Sequence, residues 1–264
     1  MPESPEVRIM SEFINESSDN RIYNKLYYVE KGNNAIESNE IRNFQISSES
    51  FGKELRVSLS NNIKKLNFSV FMGMSGNWKL TPTQDWNLTK FVRMRLDSFD
   101  GNSLLLYGGY MGPKYKLGGF TGVKRGPDSV KNFEDFKNNV MLNIDKKDFN
   151  KPICEVLLNQ KYFNGIGNYI RSTILYYMDK NPFQVSKDYI LENPNIFDMC
   201  KEVQVKSYKL NGGQIKDWEN PINKDRSEFK KWVFYQKGSS CVDSTKRTFW
   251  FDPKWETNCP YKIK

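Results

Sequence analysis

Histidine is absent from this 264-residue chain. Without it, the protein cannot use a Ser-His-Asp triad, a Cys-His pair, imidazole acid/base chemistry or a histidine-ligated metal site. Any catalysis must therefore rely on carboxylates, amines or cysteines.

Cysteine is scarce, with only four residues in the chain. Cys154, Cys200, Cys241 and Cys259 are too few and too scattered for the disulfide scaffold of a secreted domain, so we expect a reduced, intracellular protein. The last two have no CxxC partner, and a zinc site would need Asp252 or more distant ligands. We therefore expect neither a bound metal nor another cofactor.

Long apolar runs are missing as well. No stretch approaches the roughly 18 consecutive apolar residues of a membrane-spanning helix. The start of the chain, MPESPEVRIMSEFINESSDN, carries acids and lacks an apolar core. We therefore expect neither a spanning helix nor a secretory signal.

Positive charge, in contrast, is abundant. The chain has 40 Lys and Arg against 31 Asp and Glu, which gives a formal net charge of +9. Such an excess indicates a polyanionic partner or an anionic membrane surface. The sequence has no basic amphipathic helix with a strong apolar face, which disfavours the membrane.

The order of the sequence patterns predicts an α+β protein with a β-rich amino-terminal domain. Apolar residues at helical spacing predict a helix over 5–18, and short strand-like runs over about 21–123 predict an antiparallel β-sandwich or barrel. A helical domain and a terminal hairpin follow. The expected helices are 132–143, 151–163 with Pro152 in its first turn, 168–180 and 193–210, and the hairpin covers roughly 232–251.

The amino terminus offers an unusual nucleophile. Aminopeptidases generally remove Met before a small residue, and removal here would leave Pro2 as a free secondary amine with a pKa of about 8. Such an amine condenses with an aldehyde-level carbon to a charged iminium, which withdraws electrons. Glu3 and Glu6 could shuttle protons, or could simply favour the dipole at the start of a helix. On the tripeptide alone, the second interpretation is favoured.

The run QKYFNGIGNYIRS (160–172) places a G-x-G turn between two helical patterns. The glycines would let a phosphate approach the backbone, while Asn168 would cap the second helix and leave its N–H groups for an anion. A turn needed only for packing explains the spacing equally well. No strand precedes the motif, which disfavours a dinucleotide fold.

The expected hairpin combines Lys246 and Arg247 with aromatic residues at 249–251. Basic and aromatic groups on an exposed ribbon suit groove insertion or base stacking. For the aromatic residues we favour packing on the domain below. Taken alone, Met74 in the turn GMSG is either core or exposed, and Lys53 in SFGKEL is a strand-edge lysine.

Together these motifs resemble the formamidopyrimidine-DNA glycosylase/endonuclease VIII family of base-excision repair. The resemblance covers almost the whole chain and is strongest in the Q-K-x-x-x-G-I-G-N run, the signature of a helix–two-turn–helix DNA-binding element. Within the family, the chain is most similar to the animal endonuclease VIII-like 1 group. The matching segments, in family order, are MPESPE, GKEL (52–55), GMSG (73–76), PICEVLLNQKYFNGIGNYIR (152–171) and RTFWF (247–251).

The resemblance implies a domain layout with a zincless finger. Zinc-bearing members have a C-P-x-C pair five residues after the finger arginine, whereas this chain has Asp-Pro-Lys-Trp five residues after Arg247. The implied domains are an amino-terminal catalytic β-sandwich flanked by helices (1–125), a helical DNA-binding domain with the helix–two-turn–helix (126–231), and a zincless-finger β-hairpin with a tail (232–264).

Roles for individual residues also follow from the resemblance. Pro2 would attack C1′ of the damaged nucleoside, Glu3 would be its acid/base partner, and Glu6 would hold the geometry of the site. Met74 would fill part of the void left in the duplex by the flipped nucleotide. Three residues would bind the flanking phosphates: Lys53, Asn168 and Arg247. The candidate catalytic residues are thus Pro2, Glu3, Lys53 and Arg247, and the candidate DNA-binding residues are Glu6, Met74, Asn168 and Arg247.

One segment departs from the family pattern. Where the family usually has an arginine pair followed by phenylalanine, this chain has Tyr110 and Met111. The departure puts in doubt how the base opposite the lesion is held. The segment that covers the flipped base in the family corresponds to 211–228, and its sequence indicates no lesion preference.

The implied activity is that of a bifunctional DNA glycosylase/AP lyase. It would excise oxidised pyrimidines and ring-opened or over-oxidised purines through a Schiff base on the terminal proline, then cleave the strand by β,δ-elimination. The implied partner is damaged DNA, double-stranded or single-stranded, bound by a monomer in the nucleus or another DNA-containing compartment. The alternative is a damaged-DNA-binding protein of the same fold without catalysis, which the retained Pro2 and Glu3 disfavour.

Overall fold

A computed structural model describes residues 2–29, 35–83, 91–109, 111–118, 125–212 and 225–264. These residues divide into two compact units. The first contains the described residues up to 118 together with Asp225, and the second contains 125–212 and 226–264. No helix in the described part of either unit is long and apolar enough to cross a membrane.

The first unit begins with helix α1 (Ser4–Ser18). Val7, Met10 and Ile14 recur at helical spacing and are all buried, as the sequence predicts. Pro5 lies in the first turn, where a helix needs no backbone N–H from it. One face of α1 is therefore committed to the core of this unit.

Two antiparallel sheets complete the first unit. The five-stranded sheet has the order β2-β1-β7-β8-β6, and the four-stranded sheet has the order β3-β4-β5-β9. The strand bounds are β1 Tyr23–Val29, β2 Ala35–Ser38, β3 Gln45–Phe51, β4 Glu54–Ser60, β5 Lys65–Phe71, β6 Asn77–Pro82, β7 Val92–Ser98, β8 Asn102–Tyr107 and β9 Lys114–Leu117.

Both sheets and α1 share one apolar core. Leu26 and Leu104 of the five-stranded sheet cluster with Leu55 and Phe68 of the four-stranded sheet and with Met10 of α1. The expected α+β class with an antiparallel β-sandwich is confirmed. Where helices were expected to flank the sandwich, the described residues 2–118 contain one, α1.

The second unit is mainly helical, and most of its helices match the sequence patterns. The expected helices at 132–143, 168–180 and 193–210 correspond to α2, α4 and α6, whereas α5 had no sequence prediction. The bounds are α2 Phe133–Met141, α3 Ile153–Val156, α4 Asn168–Met178, α5 Ser186–Glu192, α6 Ile196–Lys209 and α7 Ser227–Trp232.

The prediction of a helix over 151–163 is wrong in length. Helix α3 ends at Val156, and Pro152 is its N-cap residue rather than part of its first turn. Turns follow until α4. Gln160 donates a side-chain hydrogen bond to the carbonyl of Ile166, which stabilises a compact turn in place of a continuing helix.

The hairpin is also shorter than the predicted 232–251. Strands β10 (Ser239–Val242) and β11 (Thr248–Phe251) pair in antiparallel register. Lys237 instead donates to three carbonyl oxygens at the end of α7. Gly238 has a φ of +68°, a left-handed conformation that an extended strand does not contain. These two features delay the start of β10.

The aromatic residues of the hairpin belong to the core. Phe249 and Phe251 are buried in the apolar cluster of the second unit, and the ring of Phe183 contacts both edge-on. Trp250 is half-buried. Packing, rather than exposure for base stacking, is therefore confirmed for the two phenylalanines.

Candidate active site and DNA-binding residues

The start of α1 fixes two buried carboxylates next to Pro2 in the chain. Pro2 is buried, Glu3 is the N-cap residue, and Glu6 lies in the first turn. The backbone N–H of Glu3 donates to Oε2 of Glu6 over 2.8 Å. In return, the Glu3 side chain accepts from the backbone N–H of Glu6, which completes a capping box. The local fold therefore sets the position of both acids.

Lys53 lies in the turn between β3 and β4 rather than at a strand edge. Phe51 pairs with Glu54, so Gly52 and Lys53 form a two-residue turn. Gly52 has a φ of +55°, which glycine adopts without a steric penalty. The turn places the half-buried Lys53 at one end of the four-stranded sheet.

Met74 projects from the turn between β5 and β6 and is 42% exposed. Its backbone N–H donates to the carbonyl of Met111 over 2.9 Å. At Gly73, a Cβ would lie 2.3 Å from the same carbonyl oxygen, so only glycine allows the two segments to approach this closely. Met111 is itself 65% exposed. Tyr110 lies outside the described residues, as does most of 211–228.

Two amide side chains shape the G-x-G turn. Oε1 of Gln160 accepts from the N–H of Gly165 over 3.1 Å, and its Nε2 donates to the carbonyl of Ile166 over 2.8 Å. The buried Asn164 donates to the carbonyl of Gly126 over 2.9 Å. The roles of Gln160 and Asn164 in holding this turn were not predicted from the sequence.

Asn168 does not cap α4, contrary to the sequence prediction. Gly167 is the N-cap residue and Asn168 is the first residue of the helix. The Nδ2 of Asn168 instead donates to the carbonyl of Thr248 over 2.8 Å. This bond joins the start of α4 to the residue that follows Arg247.

Arg247 lies in the exposed loop between β10 and β11, where the sequence places it. Its backbone N–H donates to Oδ1 of Asp243 and its carbonyl accepts from the N–H of Asp243, both over 3.0 Å. In the described part of the chain, the Arg247 guanidinium has no hydrogen-bond or ion-pair partner. Its charge is therefore available to an anion.

The loop rests on a buried ion pair that sequence reasoning missed. Nη1 of Arg171 lies 2.7 Å from Oδ2 of Asp243, and both side chains have 0% exposure. Burial by itself raises the pKa of Asp243, but hydrogen bonds from Thr245 and Arg247 and the charge of Arg171 outweigh it and lower the pKa. Asp243 is therefore ionised at neutral pH. A possible sequence signal was the D-S-T run directly after a strand.

The cysteines fit a structural rather than a reactive role. Cys154, Cys200 and Cys241 are buried and Cys259 is half-buried. Burial raises the pKa of each of the three buried thiols, so they remain protonated at neutral pH. Across the residues that the structure describes, no group of three or more His, Cys, Asp or Glu side chains could hold a metal ion.

The structure gathers five of the seven predicted site residues into two groups, one in each unit, and leaves Lys53 and Met74 on two separate turns of the first unit. In the first unit, Pro2, Glu3 and Glu6 meet at the start of α1. In the second unit, Asn168 bonds to the carbonyl of Thr248 at the start of β11, and Arg247 is the residue before Thr248. The first group places two acids beside Pro2, and the second combines a side-chain amide with an exposed cation.

Comparison with curated proteins finds a relative that spans nearly the whole chain. Human endonuclease 8-like 1 is 30% identical over 292 residues, covering 95% of this chain and 72% of that protein. The chain belongs to the formamidopyrimidine-DNA glycosylase/endonuclease VIII (Fpg/Nei) family. The Fpg/Nei relatives also include formamidopyrimidine-DNA glycosylase of Mycoplasmopsis pulmonis, 25% identical over 264 residues, with 92% of this chain and 90% of that protein covered. No protein-family model matches the sequence.

Solved structures share the Fpg/Nei fold. The MutM (Fpg) protein of Thermus thermophilus matches with a TM-score of 0.77 and 17% identity, covering 98% of this chain and 100% of that one. Lactococcus lactis Fpg, solved with an abasic site containing DNA, matches with a TM-score of 0.73 and 18% identity, covering 96% and 99%. At these identities the likeness establishes a common fold.

Proposed function

We propose that this Fpg/Nei protein is a bifunctional DNA glycosylase/AP lyase of base-excision repair. The observation that carries the proposal is the start of α1, where the buried carboxylates of Glu3 and Glu6 lie in the first turn after Pro2. The names of the relatives support it, since they are an endonuclease 8-like protein and a formamidopyrimidine-DNA glycosylase. The net charge of +9 suits a DNA substrate.

The nucleophile is the secondary amine of Pro2, which requires that Met1 be removed. The amine lone pair attacks C1′ while the N-glycosidic bond breaks and its electrons leave with the base, and the proton that the Pro2 nitrogen loses neutralises the departing base. Glu3 protonates the ring oxygen of the sugar, so the ring opens to an iminium on Pro2. The iminium acidifies C2′, and successive eliminations expel the 3′ phosphate and then the 5′ phosphate. None of these steps needs histidine or a metal.

Glu6 acts through Glu3. Its carboxylate accepts a hydrogen bond from the backbone N–H of Glu3 over 2.8 Å. This bond fixes the backbone of Glu3 and therefore the position of its side chain. Removal of Glu6 would free the first turn of α1 and would let Glu3 leave the position from which it transfers protons. In this proposal, Glu6 is a positioning residue for the acid.

DNA is held by phosphate contacts and by an apolar wedge. Flipping a base out of the duplex costs a few kcal/mol. Contacts between the protein and the DNA backbone offset this cost. The exposed Met74 on its tight turn enters the void, as apolar side chains do in other DNA-bending proteins. The proposed phosphate ligands are Lys53, Asn168 and Arg247.

We assign catalysis to the domain 1–125, helical DNA binding to 126–231 and the zincless finger to 232–264. The proposed substrates are oxidised pyrimidines and ring-opened or over-oxidised purines in double-stranded or single-stranded DNA. Two structures of Lactococcus lactis Fpg support this range, because one is a complex with an oxidized pyrimidine containing DNA and the other, of a mutant form, is a complex with a Fapy-dG containing DNA.

Borohydride trapping tests the proposal. Sodium borohydride reduces the Schiff base to a stable amine, so an active protein becomes covalently attached to a duplex with an abasic site. We expect a one-to-one adduct whose DNA-bearing peptide begins at Pro2. Retention of Met1 converts the amine to an amide and should abolish trapping. Pro2→Gly leaves a primary amine, which forms a neutral imine instead of a permanently charged iminium and should therefore trap far less. Pro194→Gly, at an exposed proline of the second unit, is the matched control.

A different result would support the alternative function. A wild-type protein that binds abasic-site DNA but gives no adduct would be a damaged-DNA-binding protein of the same fold. Full trapping by a preparation that retains Met1 would refute Pro2 as the nucleophile.

A further inference from the structure

Two buried carboxylates hold the loop that carries Arg247. The first is Asp243, which is paired with Arg171 of α4 over 2.7 Å. Its other oxygen accepts from the N–H of Thr245 over 2.9 Å and from that of Arg247 over 3.0 Å. One end of the loop is thereby tied to the core of the second unit.

The second carboxylate is Glu155 of α3, which is 5% exposed. Its Oε1 accepts from the N–H of Ser244 over 2.8 Å and from the hydroxyl of Tyr261 over 2.6 Å. Its Oε2 accepts from Oγ of Ser244 over 2.7 Å. Burial raises the pKa of Tyr261, and the hydrogen bond to Glu155 raises it further, so the phenol remains a donor at neutral pH. Glu155 thus joins the loop to the carboxy-terminal tail.

The Arg247 side chain contrasts with this fixed backbone. Glu155 and Arg247 line the same pocket of about 250 Å³, together with Lys151 and Thr245. Both oxygens of Glu155 already accept from Ser244 and Tyr261, while the guanidinium has no partner in the described part of the unit. A guanidinium binds phosphate best in one planar orientation, and a backbone fixed beforehand reduces the entropy lost on binding.

We propose that Glu155 is a positioning residue for Arg247. By holding Ser244 against Tyr261, it orients the loop that presents the guanidinium to a DNA phosphate. The inference rests on the proposed function, in which Arg247 binds DNA. Asp243 holds the same loop, but its removal would leave Arg171 charged and unpaired in the core. Glu155 is therefore the better residue to test.

A double-mutant cycle measures the coupling. The variants are Glu155→Ala, Arg247→Ala and their combination, and the readout is Kd at several salt concentrations for a duplex with a tetrahydrofuran abasic-site analogue. We expect Glu155→Ala to weaken binding about tenfold and to lower the slope of log K against log salt by up to about one. In the Arg247→Ala background, Glu155→Ala should have no further effect on Kd.

The sign of this effect separates positioning from bulk charge. Glu155→Ala makes the protein more positive, which by itself strengthens DNA binding, so weaker binding requires loss of the oriented contact. Glu192→Ala, at an exposed carboxylate bonded to Gln184, is the charge-matched control and should bind at least as tightly as wild type. Glu155→Gln should restore binding, because its amide can accept from Ser244 N–H and Tyr261 and donate to Ser244 Oγ.

Tyr261→Phe provides a milder test if Glu155→Ala fails to fold. It removes one of the three hydrogen bonds to Glu155 and should weaken DNA binding in the same direction by a smaller factor. Tyr177→Phe removes a comparable phenol bond, to the carbonyl of Trp232 over 3.0 Å, and should leave Kd unchanged.

Two results would overturn the positioning role. One is that the fold-changes in Kd of Glu155→Ala and Arg247→Ala multiply in the double variant, which would mean that the two residues act independently. The other is that both Glu155→Ala and Tyr261→Phe bind DNA as tightly as wild type. An unchanged Kd for Arg247→Ala would remove the inference as well. Borohydride trapping of the wild-type protein is independent of these outcomes and decides the proposed function separately.

Discussion

Glu3 and Glu6 hold each other across the first turn of α1: the N–H of Glu3 donates to the Glu6 carboxylate over 2.8 Å, and the Glu3 side chain accepts from the backbone of Glu6. In the usual capping box a serine or threonine takes the first position. Here Glu3 takes it, so the side chain that caps the helix is also the proposed catalytic acid. Stability and catalysis are therefore expected to respond together when Glu6 is changed.

Glu6→Ala should destabilise the protein and misplace Glu3. Loss of the cap bond costs about 1 kcal/mol, which corresponds to a fall of about 2–4 °C in melting temperature for a chain of this size. Base excision should fall as well. Glu12→Ala, in a half-buried ion pair with Arg8 on the same helix, should change both quantities less. Calorimetry and excision assays on both variants check this, and equal effects would contradict it.

Glu3→Gln should separate the two activities. An amide cannot supply the proton that opens the sugar ring, so excision of a damaged base should fall by about 100-fold or more. Cleavage at a preformed abasic site should fall much less, because the aldehyde is already available to Pro2. Single-turnover rates on the two substrates test this. The same loss on both would argue against Glu3 as the glycosylase acid.

Arg247→Ala should weaken DNA binding without unfolding the protein. The guanidinium faces solvent, so the melting temperature should stay near wild type, while the slope of log K against log salt should fall by about one. Affinity should fall by a similar factor for different lesions, since phosphate contacts carry no base information. Lys187→Ala, which removes an exposed charge paired with Asp145, should change the slope less.

The opposite pattern would assign Arg247 a structural role. In that case the melting temperature of Arg247→Ala would fall while the affinity and salt slope of the folded variant stayed at wild-type values. Measurement of all three quantities on one preparation distinguishes the two roles.

Chelation should leave the protein unchanged. Because the proposed chemistry uses an amine and carboxylates, excess EDTA or 1,10-phenanthroline should alter neither the trapping yield nor the melting temperature. A zinc-finger protein treated in parallel should lose its structure. Stoichiometric zinc in elemental analysis, released together with activity, would contradict the prediction.

Acid should weaken the second unit through Asp243. Its folded-state pKa lies below the ordinary aspartate value, so its contribution to stability is complete above that value and is lost as the pH falls through the folded pKa. The melting temperature should therefore decrease when the pH is lowered below about 4. Asp243→Asn should be less stable at pH 7 and less sensitive to acid, whereas Asp145→Asn, at an exposed ion pair, should follow wild type.

Much of the fold was predictable because its signals are local. The apolar stripe of α1, with Val7, Met10 and Ile14, and the alternating strand runs before residue 118 depend only on neighbouring residues. The family motifs brought Pro2 and Arg247 forward as candidate site residues in the same way. For these features the sequence alone was sufficient, since helix and strand periodicities follow directly from backbone geometry.

Side-chain hydrogen bonds set two element bounds that the apolar pattern does not contain. Gln160 ends the helical run after α3 by bonding to Gly165 and Ile166, and Lys237 delays β10 by bonding to the end of α7. These bonds are local in sequence, but they depend on polar side-chain conformation, which hydrophobic periodicity does not encode.

Long-range tertiary contacts explain why the supports of Arg247 were missed. By type, Arg171 is a surface residue, yet it is fully buried against Asp243, and Glu155 contacts a loop 89 residues further along the chain. A buried charge is stable only beside its partner, and only the folded structure brings the partners together. The sequence by itself determined the elements and the candidate chemistry, while the tertiary structure decided which side chains hold that chemistry in place.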